Sequence, residues 1–244
     1  MHTVFVVSDI HGHYTVLKDA LDEAGFDPGR SDHTLLALGD YFDRGSESYE
    51  VYTYLRKLDR QGKARFILGN HDLFMLEFLE GKDERTRFNI LHNGFLETLK
   101  SFTGENDFDM FTVDLERLRK KVNKVAPDLY EWLNSMPLYI EHEDTVFAHG
   151  GIDGDNPDWR LTPRDRFVWN YQDQLTPLEG KRTVVGHDRT ALIRGRHNPN
   201  VVLRADDKEL FKPIDDGQVL YIDSFVEFSK TMNVVKLTFE RPLP

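Results

Sequence analysis

Three short apolar runs near the amino terminus limit the folds that this chain can adopt. Residues 3–7, 34–38 and 64–68 are rich in aliphatic side chains, and two stretches with apolar residues at helical spacing separate them. Continuous apolar runs of this length are typical of strands covered on both faces, and the helical periodicity between them indicates crossover connections. The pattern therefore predicts an α/β fold that begins strand–helix–strand–helix–strand, with a parallel sheet.

Polar side chains of the kinds that bind metals and phosphate follow each of these runs directly. The carboxyl ends of parallel strands meet at one edge of a sheet, where open α/β sheets bind their ligands. We therefore expect three loops that are far apart in the sequence to come together at one site. In chain order the candidate residues are Asp9 and His11, then Asp40, Asp43 and Arg44, then Asn70 and His71.

The second half of the chain predicts five further strands, of which the last two are expected to close a second sheet. His149 and His187 each follow one of these strands, as the earlier candidates do. The architecture that we expect is two mixed sheets packed face to face and flanked by helices. The five strand-like runs are 138–140, 145–147, 183–185, 219–222 and 234–239.

Residues 81–136 have a different character, because they are charged and rich in helix-forming residues. The run at 115–125 predicts a helix whose charged face is solvated. We predict that 81–136 is a helical insert or cap within a single domain that spans 1–244. Five aromatic residues are expected to pack between this insert and the core: Phe74, Phe78, Phe88, Phe95 and Phe102.

Composition narrows the chemistry of the expected site. The chain has no cysteine, so any metal must be held by His, Asp, Glu or Asn, and a cytoplasmic location is expected. The formal net charge of −11 disfavours a nucleic-acid partner, whereas two bound divalent cations would still make a local site positive. There is no apolar run of membrane-spanning length and no recognisable leader, so no membrane partner is expected. The oligomeric state stays open.

The candidate residues combine hard oxygen ligands with imidazoles, a mixture suited to Mn, Fe or Zn. Asp40 lies on the middle of the first three loops, so it is the natural bridge between two divalent metal ions. Arg44 offers a planar fork to two phosphate oxygens. His71 is placed to protonate a leaving oxygen, with Asp43 fixing its tautomer. These residue types predict a dinuclear hydrolase of phosphoesters.

Five motifs in this order, D-I-H-G, G-D-Y-F-D-R-G, G-N-H-D, A-H-G-G and V-V-G-H, resemble those of the calcineurin-like metallophosphoesterases. The resemblance is greater to the phosphoprotein phosphatase branch in its compact bacterial and phage form. It implies a four-layer α/β/β/α sandwich and a set of roles for the candidate residues. These roles are Asp9, His11 and Asp40 for the first metal, Asp40, Asn70, His149 and His187 for the second, Arg44 and Asn70 for phosphate, and His71 with Asp43 as the acid dyad.

Three positions depart from the pattern of that branch. Asp72 resembles the diadenosine tetraphosphate hydrolases, since protein phosphatases more often have Glu, yet those hydrolases typically lack the aspartate found here as Asp43. Asp188 follows the last motif histidine where the family usually has threonine. Tyr171 stands where the compact phosphatases have a second phosphate-binding arginine. The candidate replacements are Arg164, Arg166 and Arg189.

Three functions follow as hypotheses. The leading one is a dinuclear metal-dependent phosphomonoesterase, a Ser/Thr protein phosphatase, in which a hydroxide bridging the metals attacks phosphorus in line and His71 protonates the leaving group. The alternative is a diadenosine tetraphosphate or other nucleotide pyrophosphohydrolase, which Asp72 favours and whose nucleotide an insert with Arg85, Arg87 and Phe88 can clamp. The third is a non-catalytic phosphate-sensing module. The substrate is accordingly a phosphorylated protein or a small phosphoester.

Overall fold

The predicted strand–helix repeat forms the amino-terminal half of the protein. The structure, a computed structural model, describes residues 1–105 and 113–244. Its first three strands are parallel, and a helix crosses over between each pair. They are β1 (His2–Val7), α1 (Tyr14–Ala24), β2 (His33–Ala37), α2 (Ser48–Arg60) and β3 (Ala64–Phe66).

A strand from the carboxyl-terminal tail completes the first sheet. β9 (Val235–Phe239) runs antiparallel to β1, which gives the order β3-β2-β1-β9. The prediction that this segment closes the second sheet is therefore wrong. The apolar pattern of this segment indicates a strand but does not determine which strand it pairs with. In the structure β9 pairs with the edge of β1 that β2 leaves free. Phe239 then packs into the space between the sheets.

The second sheet has five strands in the order β4-β5-β6-β8-β7. Its central strands β5, β6 and β8 are parallel, and β4 and β7 are antiparallel edges. Val4 and Leu36 of the first sheet share one apolar core with Phe147 and Val184 of the second, so the predicted face-to-face packing of two mixed sheets is confirmed. The five strands are β4 (Tyr139–His142), β5 (Thr145–Ala148), β6 (Arg182–Val185), β7 (Ile214–Asp215) and β8 (Val219–Tyr221).

Five consecutive helices follow β3, and the last four of them lie in the segment predicted as an insert. The amphipathic pattern of α6 buries Leu115, Leu118 and Val122 and leaves its charged face in solvent, as expected. Residues 106–112 lie outside the described residues, and the single domain with an insert at 81–136 stays a prediction. The helices are α3 (Asn70–Leu79), α4 (Asp83–His92), α5 (Phe95–Thr103), α6 (Leu115–Val125) and α7 (Leu129–Asn134).

Of the five aromatic residues expected to pack between the insert and the core, four are buried, but Phe88 is not. Its side chain on α4 is 58% exposed, so the packing prediction is wrong there. The sequence places Phe88 in a helix without showing which face of that helix meets the core, because the amphipathic pattern of α4 is weak.

Three short helices complete the fold beside the second sheet. Ile193 of α9 packs on Val185, Val219 and Tyr221, so this helix covers the outer face of β6 and β8. Within residues 1–105 and 113–244, no helix combines the length and apolarity that crossing a bilayer requires. The three helices are α8 (Arg164–Trp169), α9 (Thr190–His197) and α10 (Val226–Ser229).

Candidate functional site

The loops after β1, β2, β3, β5 and β6 meet at one edge of the two sheets. A cavity of about 200 Å³ opens there, and most of the candidate residues line it. Asp43 and His149 lie behind the wall and are bonded to residues that do line it. The structure therefore brings together all nine residues that the sequence nominates: Asp9, His11, Asp40, Asp43, Arg44, Asn70, His71, His149 and His187.

Asp40 lies between two groups of potential metal ligands. Its Oδ2 is 3.6 Å from His11 Nε2, and its Oδ1 is 3.3 Å from His149 Nε2. The donor atoms of His11, Asp40 and His71 lie within 4.8 Å of one another, and so do those of Asp40, His149 and His187. One carboxylate shared by two such groups is the arrangement that two-metal hydrolases use.

Two further candidates complete these groups. Asn70 Oδ1 is 3.0 Å from His149 Nε2, so this amide lies beside the second group. Asp9 also lines the cavity, and its Oδ2 accepts a hydrogen bond from the backbone N–H of His187 at 2.9 Å and another from Ser8 Oγ. In this arrangement His71, rather than Asp9, is the third member of the tighter first group.

The donor atoms fit divalent cations. Among the described residues His187 Nε2 is buried with no hydrogen-bond partner, although unpaired buried polar atoms are costly. His11 Nδ1 donates to the backbone carbonyl of Phe42 at 2.8 Å and His149 Nδ1 donates to that of Leu38 at 2.6 Å, which leaves each Nε2 directed to the site. Metal-ligating histidines are commonly oriented in this way.

Burial and neighbouring charges set the protonation of these groups. Burial disfavours the imidazolium of His149, but the Asp40 carboxylate outweighs it and raises the pKa of His149 to about 10. Burial, with the positive charge of His149, lowers the pKa of His187 to about 3. Burial also opposes ionisation of Asp40, yet His149 holds the pKa of Asp40 well below its usual range. A cation bound here would therefore displace a proton from His149.

A histidine–aspartate pair stands beside the metal-ligand groups. His71 Nδ1 lies 2.7 Å from Asp43 Oδ2, and both residues are buried. Arg44 Nη2 is 2.9 Å from His71 Nε2, and Arg44 Nη1 lies against His11 Nε2. The guanidinium thus lies beside the Nε2 atoms of both histidines.

Thr98 positions the aspartate of this pair and was not identified from the sequence. Its Oγ1 donates to Asp43 Oδ1 at 2.8 Å and accepts the backbone N–H of Asp43 at 2.8 Å. Thr98 is fully buried on α5, within the segment predicted as an insert. The signal that could have found it is a threonine on the apolar face of an amphipathic helix, where a hydroxyl needs a buried partner.

Backbone strain concentrates at this edge. Of the non-glycine residues described with positive φ, six belong to the nominated set, and their φ values lie between +44° and +75°. Residues other than Gly, Asn and Asp rarely adopt this region, and each instance costs about 1–3 kcal/mol. Strain of this kind persists where surrounding structure imposes it, typically at functional sites. The six are Asp9, His11, Asp40, Asp43, Arg44 and His187.

Two motif glycines permit close contact between loops. A Cβ on Gly69 would overlap Asp40 Oδ1, and a Cβ on Gly186 would overlap Asp9 Oδ2. Any side chain at these positions would push the carboxylates away from the site. Gly69 of the G-N-H-D motif and Gly186 of the V-V-G-H motif are therefore required because candidate ligands pack directly against them.

Asp72, the residue that resembles the tetraphosphate hydrolases, does not face the cavity. Its carboxylate accepts backbone N–H groups of Asp40 (2.9 Å), Tyr41 (3.0 Å) and Gly69 (2.8 Å), and its side chain is fully buried. Asp72 therefore ties the second motif loop to the third, and it does not line the cavity.

The cavity holds more arginines than Arg44 alone. Arg189 and Arg196 also line it, whereas Arg166 pairs with Asp153 (2.8 Å) outside it and Arg164 is not part of its lining. Arg189 is therefore the one of the three candidate replacements that reaches the site. Its Nη2 donates to Glu227 Oε1 at 2.5 Å, and the same carboxylate oxygen is 3.1 Å from Arg44 Nη1.

Asp188 has a positioning role in this group. Its buried carboxylate accepts the backbone N–H of Gln172 at 2.8 Å and pairs with Arg196 Nη2. A threonine at this position could not form a charged pair with Arg196. The departure from the family pattern at Asp188 thus accompanies an additional arginine in the cavity wall.

Comparison with known proteins agrees with this geometry. A symmetrical bis(5'-nucleosyl)-tetraphosphatase of Edwardsiella ictaluri is 32% identical over 169 residues, which are 67% of this chain and 48% of that protein. The asymmetrical bis(5'-nucleosyl)-tetraphosphatase PrpE of Bacillus velezensis is 31% identical, over 62% of this chain and 57% of that protein. The chain spans about half the length of the curated relatives that it matches.

The fold is also that of solved structures. A protein serine/threonine phosphatase of Saccharomyces cerevisiae superposes with a TM-score of 0.56 at 15% identity, covering 99% of this chain and 81% of that one. A family model described as calcineurin-like phosphoesterase matches residues 2–209. The chain therefore belongs to the calcineurin-like phosphoesterase family, which confirms the predicted superfamily and the predicted enzyme class, a metal-dependent phosphoester hydrolase.

Proposed function

We propose that this protein hydrolyses the phosphoric anhydride of a dinucleoside polyphosphate, the function that the sequence offered as the alternative. The observation that carries the proposal is the group of three arginines, Arg44, Arg189 and Arg196, around one small cavity. A single phosphate needs fewer cationic partners than a chain of phosphates does. The names of the two tetraphosphatase relatives support the same substrate class.

We further propose that the site holds two divalent cations. Asp9, His11 and Asp40 would bind the first, and Asp40, Asn70, His149 and His187 would bind the second. When bound, the cations would supply Lewis-acid polarisation of phosphoryl oxygens and would lower the pKa of water. Manganese is the expected metal, with iron or zinc as alternatives, and metal analysis of the purified protein decides among them.

The protein's own residues would then orient the phosphate and move the proton. Arg44 and Asn70 would hold phosphoryl oxygens in the cavity, because both side chains line it. His71 would donate its Nε2 proton to the leaving oxygen. Asp43 would accept the Nδ1–H of His71 and stabilise the imidazolium, as the 2.7 Å contact allows. The buried position of the pair would exclude water from this proton transfer.

A Ser/Thr protein phosphatase, the leading hypothesis from the sequence, remains the second candidate. The observation that favours it is the buried His71–Asp43 pair. An alkoxide is a far poorer leaving group than a phosphate, so a dedicated proton donor benefits a phosphoserine substrate most. The likeness to a protein serine/threonine phosphatase shows the fold alone. A nucleotide substrate and a phosphoprotein both suit the proposed cytoplasmic location.

The test compares initial rates on diadenosine tetraphosphate and on a phosphoserine peptide, both with Mn²⁺. A preference of at least tenfold for the tetraphosphate, about 1.4 kcal/mol in transition-state binding, is the expected result. A tenfold preference for the peptide would refute the proposal and support a Ser/Thr protein phosphatase instead. Wild-type turnover that falls in His71→Asn would in either case exclude the phosphate-sensing module.

A further inference from the structure

A second cavity, of about 300 Å³, opens beside the catalytic cavity. Asn93 and Trp169 line both cavities, so the two are adjacent. We call the second cavity the aromatic groove, because rings form half of its lining. The residues that line it are Phe74, Arg85, Phe88, Asn89, Asn93 and Trp169.

Two of these rings are unusually exposed for their size. Phe88 is 58% exposed and Trp169 is 39% exposed, although both belong to helices that pack on the core. Single exposed aromatics are common, but two that border one cavity leave their faces available to a planar ligand. Stacking on aromatic side chains is the sequence-tolerant way in which proteins bind nucleobases.

The groove is held at a fixed distance from the reacting groups. The rings of His71 and Phe74 lie 4.9 Å apart, and those of Phe74 and Trp169 lie 6.1 Å apart, so aromatic contacts lead from the proton donor to the groove. The backbone N–H of Arg44 donates to the carbonyl of Gly94 at 3.2 Å, which ties the end of α4 to the phosphate-binding arginine.

The polar residues of the groove suit a nucleoside that carries phosphates. Asn93 Nδ2 donates to Asn89 Oδ1 at 2.8 Å, and this pair places carboxamide groups in the wall. Carboxamides form paired hydrogen bonds with base edges. Arg85 is the one charged residue of the lining, and its Nε donates to the Glu77 carboxylate at 2.9 Å, so the wall carries a paired cation and no carboxylate of its own.

We propose that the aromatic groove binds one nucleoside of the substrate, with its base stacked on Phe88 and Trp169. The polyphosphate would extend from there into the catalytic cavity toward Arg44 and Arg189. The inference rests on the proposed function and adds to it a binding subsite and the residues that form it. It also explains why Phe88 departs from the core packing that its sequence context suggests.

A binding experiment tests the groove separately from catalysis. Calorimetry would measure the affinities of adenosine diphosphate and of inorganic pyrophosphate, each with Mn²⁺, for the wild type, Phe88→Ala and Leu91→Ala. Leu91 is the matched control, because it is 50% exposed on the same helix and does not line the groove. We expect the base to strengthen wild-type binding about tenfold, and F88A to remove most of that gain while L91A keeps it. Equal affinities of the two ligands for the wild type would overturn the inference.

Turnover distinguishes failure of the groove from failure of the proposed function. We expect F88A to lower the ratio of kcat/KM for diadenosine tetraphosphate over tripolyphosphate about tenfold, chiefly through KM. An unchanged ratio in an enzyme that prefers the tetraphosphate would refute the groove and leave the proposed function standing. A wild type that prefers the phosphoserine peptide, yet binds the diphosphate tenfold more tightly than pyrophosphate, would refute the function and support the groove. If F88A instead raised KM for the phosphoserine peptide, the groove would bind a peptide side chain and the inference would be overturned.

Discussion

Replacing Thr98 by valine would remove one buried hydroxyl and keep the shape of the side chain. That hydroxyl satisfies two groups of Asp43 at once, the backbone N–H and Oδ1, each at 2.8 Å. Thr98 is fully buried, so solvent does not replace the lost bonds without rearrangement. The variant therefore measures how strongly the dyad depends on a residue that touches neither substrate nor metal ligand.

The size of the effect follows from these two bonds. A buried polar group left without a partner costs about 1–3 kcal/mol, so the loss of two bonds in T98V should lower the free energy of unfolding by about 2–6 kcal/mol. Burial already raises the pKa of Asp43, and loss of the Thr98 donor should raise it further. A less ionised Asp43 stabilises the imidazolium of His71 less. We expect kcat to fall about tenfold, equivalent to about 1.4 kcal/mol, and the acidic limb of its pH profile to move upward.

Two variants serve as controls for T98V. Thr98→Ser keeps the hydroxyl and should recover most of kcat and its pH profile. Thr103→Val removes a hydroxyl from the same helix that donates to the carbonyl of Leu99 at 2.6 Å and accepts the backbone N–H of Glu105 at 3.4 Å, away from the dyad, and it should keep the wild-type kcat. Urea denaturation without metal gives the stabilities, and steady-state rates on the better substrate give kcat. A T98V protein with wild-type kcat and pH profile would refute the reasoning, because Asp43 would then be held by His71 alone.

Three further predictions test other parts of the site and the fold. Arg189→Ala should raise KM for the tetraphosphate about tenfold through a lost charged hydrogen bond, whereas Arg166→Ala should not, as steady-state kinetics will show. His71→Asn should lower kcat about 10²–10⁴-fold on a phosphoserine peptide and less on an anhydride, whose phosphate leaving group is a weaker base and depends less on protonation. Asp128→Asn should lower the free energy of unfolding by about 1–3 kcal/mol in urea at neutral pH, because it breaks bonds from three side chains of α2.

The Asp128 prediction has a definite pH dependence. Burial opposes ionisation, but the bonds from Tyr52, Arg56 and Arg60 hold the pKa of Asp128 well below its usual value. Such a carboxylate stabilises the fold above its unfolded pKa of about 4, and this stabilisation is lost as the pH falls toward the folded value. The difference between the wild type and D128N should therefore shrink on acidification. A difference that stays constant down to pH 3 would contradict this role of Asp128. A wild-type KM in R189A would contradict the prediction for Arg189. An equal loss of kcat on both substrates in H71N would contradict the prediction for His71.

The positions of the candidate residues were predictable because two local rules act together. Short apolar runs alternating with helical periodicity indicate parallel strands, and the carboxyl ends of such strands share an edge. Asp9, Asp40 and Asn70 therefore had to converge if the strand predictions held. No knowledge of long-range contacts was needed, since the sheet itself brings the loops together.

Features that depend on long-range pairing were not predictable in this way. The apolar pattern of 235–239 indicates a strand, but nothing local distinguishes pairing with β1 from pairing with the second sheet. Thr98 acquires its role from a partner at residue 43, which its helix does not reveal. The sequence names Arg189 together with Arg164 and Arg166, and only the folded structure shows which of the three lines the cavity. Phe88 looks like a core residue by type, and only the orientation of α4 exposes it.

Asp72 shows why a motif residue can mark a branch without acting on its substrate. Its carboxylate bonds to backbone groups of Asp40, Tyr41 and Gly69, so its length sets the spacing between two loops that carry ligands. A glutamate here would have to place the same oxygens one methylene farther from the chain, which requires a shift of α3 relative to the second loop. A shift of α3 moves Phe74, and with it one wall of the aromatic groove. The identity of residue 72 can therefore correlate with substrate class through the position of α3. This gives a physical reason why Asp72 resembles the residue found in diadenosine tetraphosphate hydrolases.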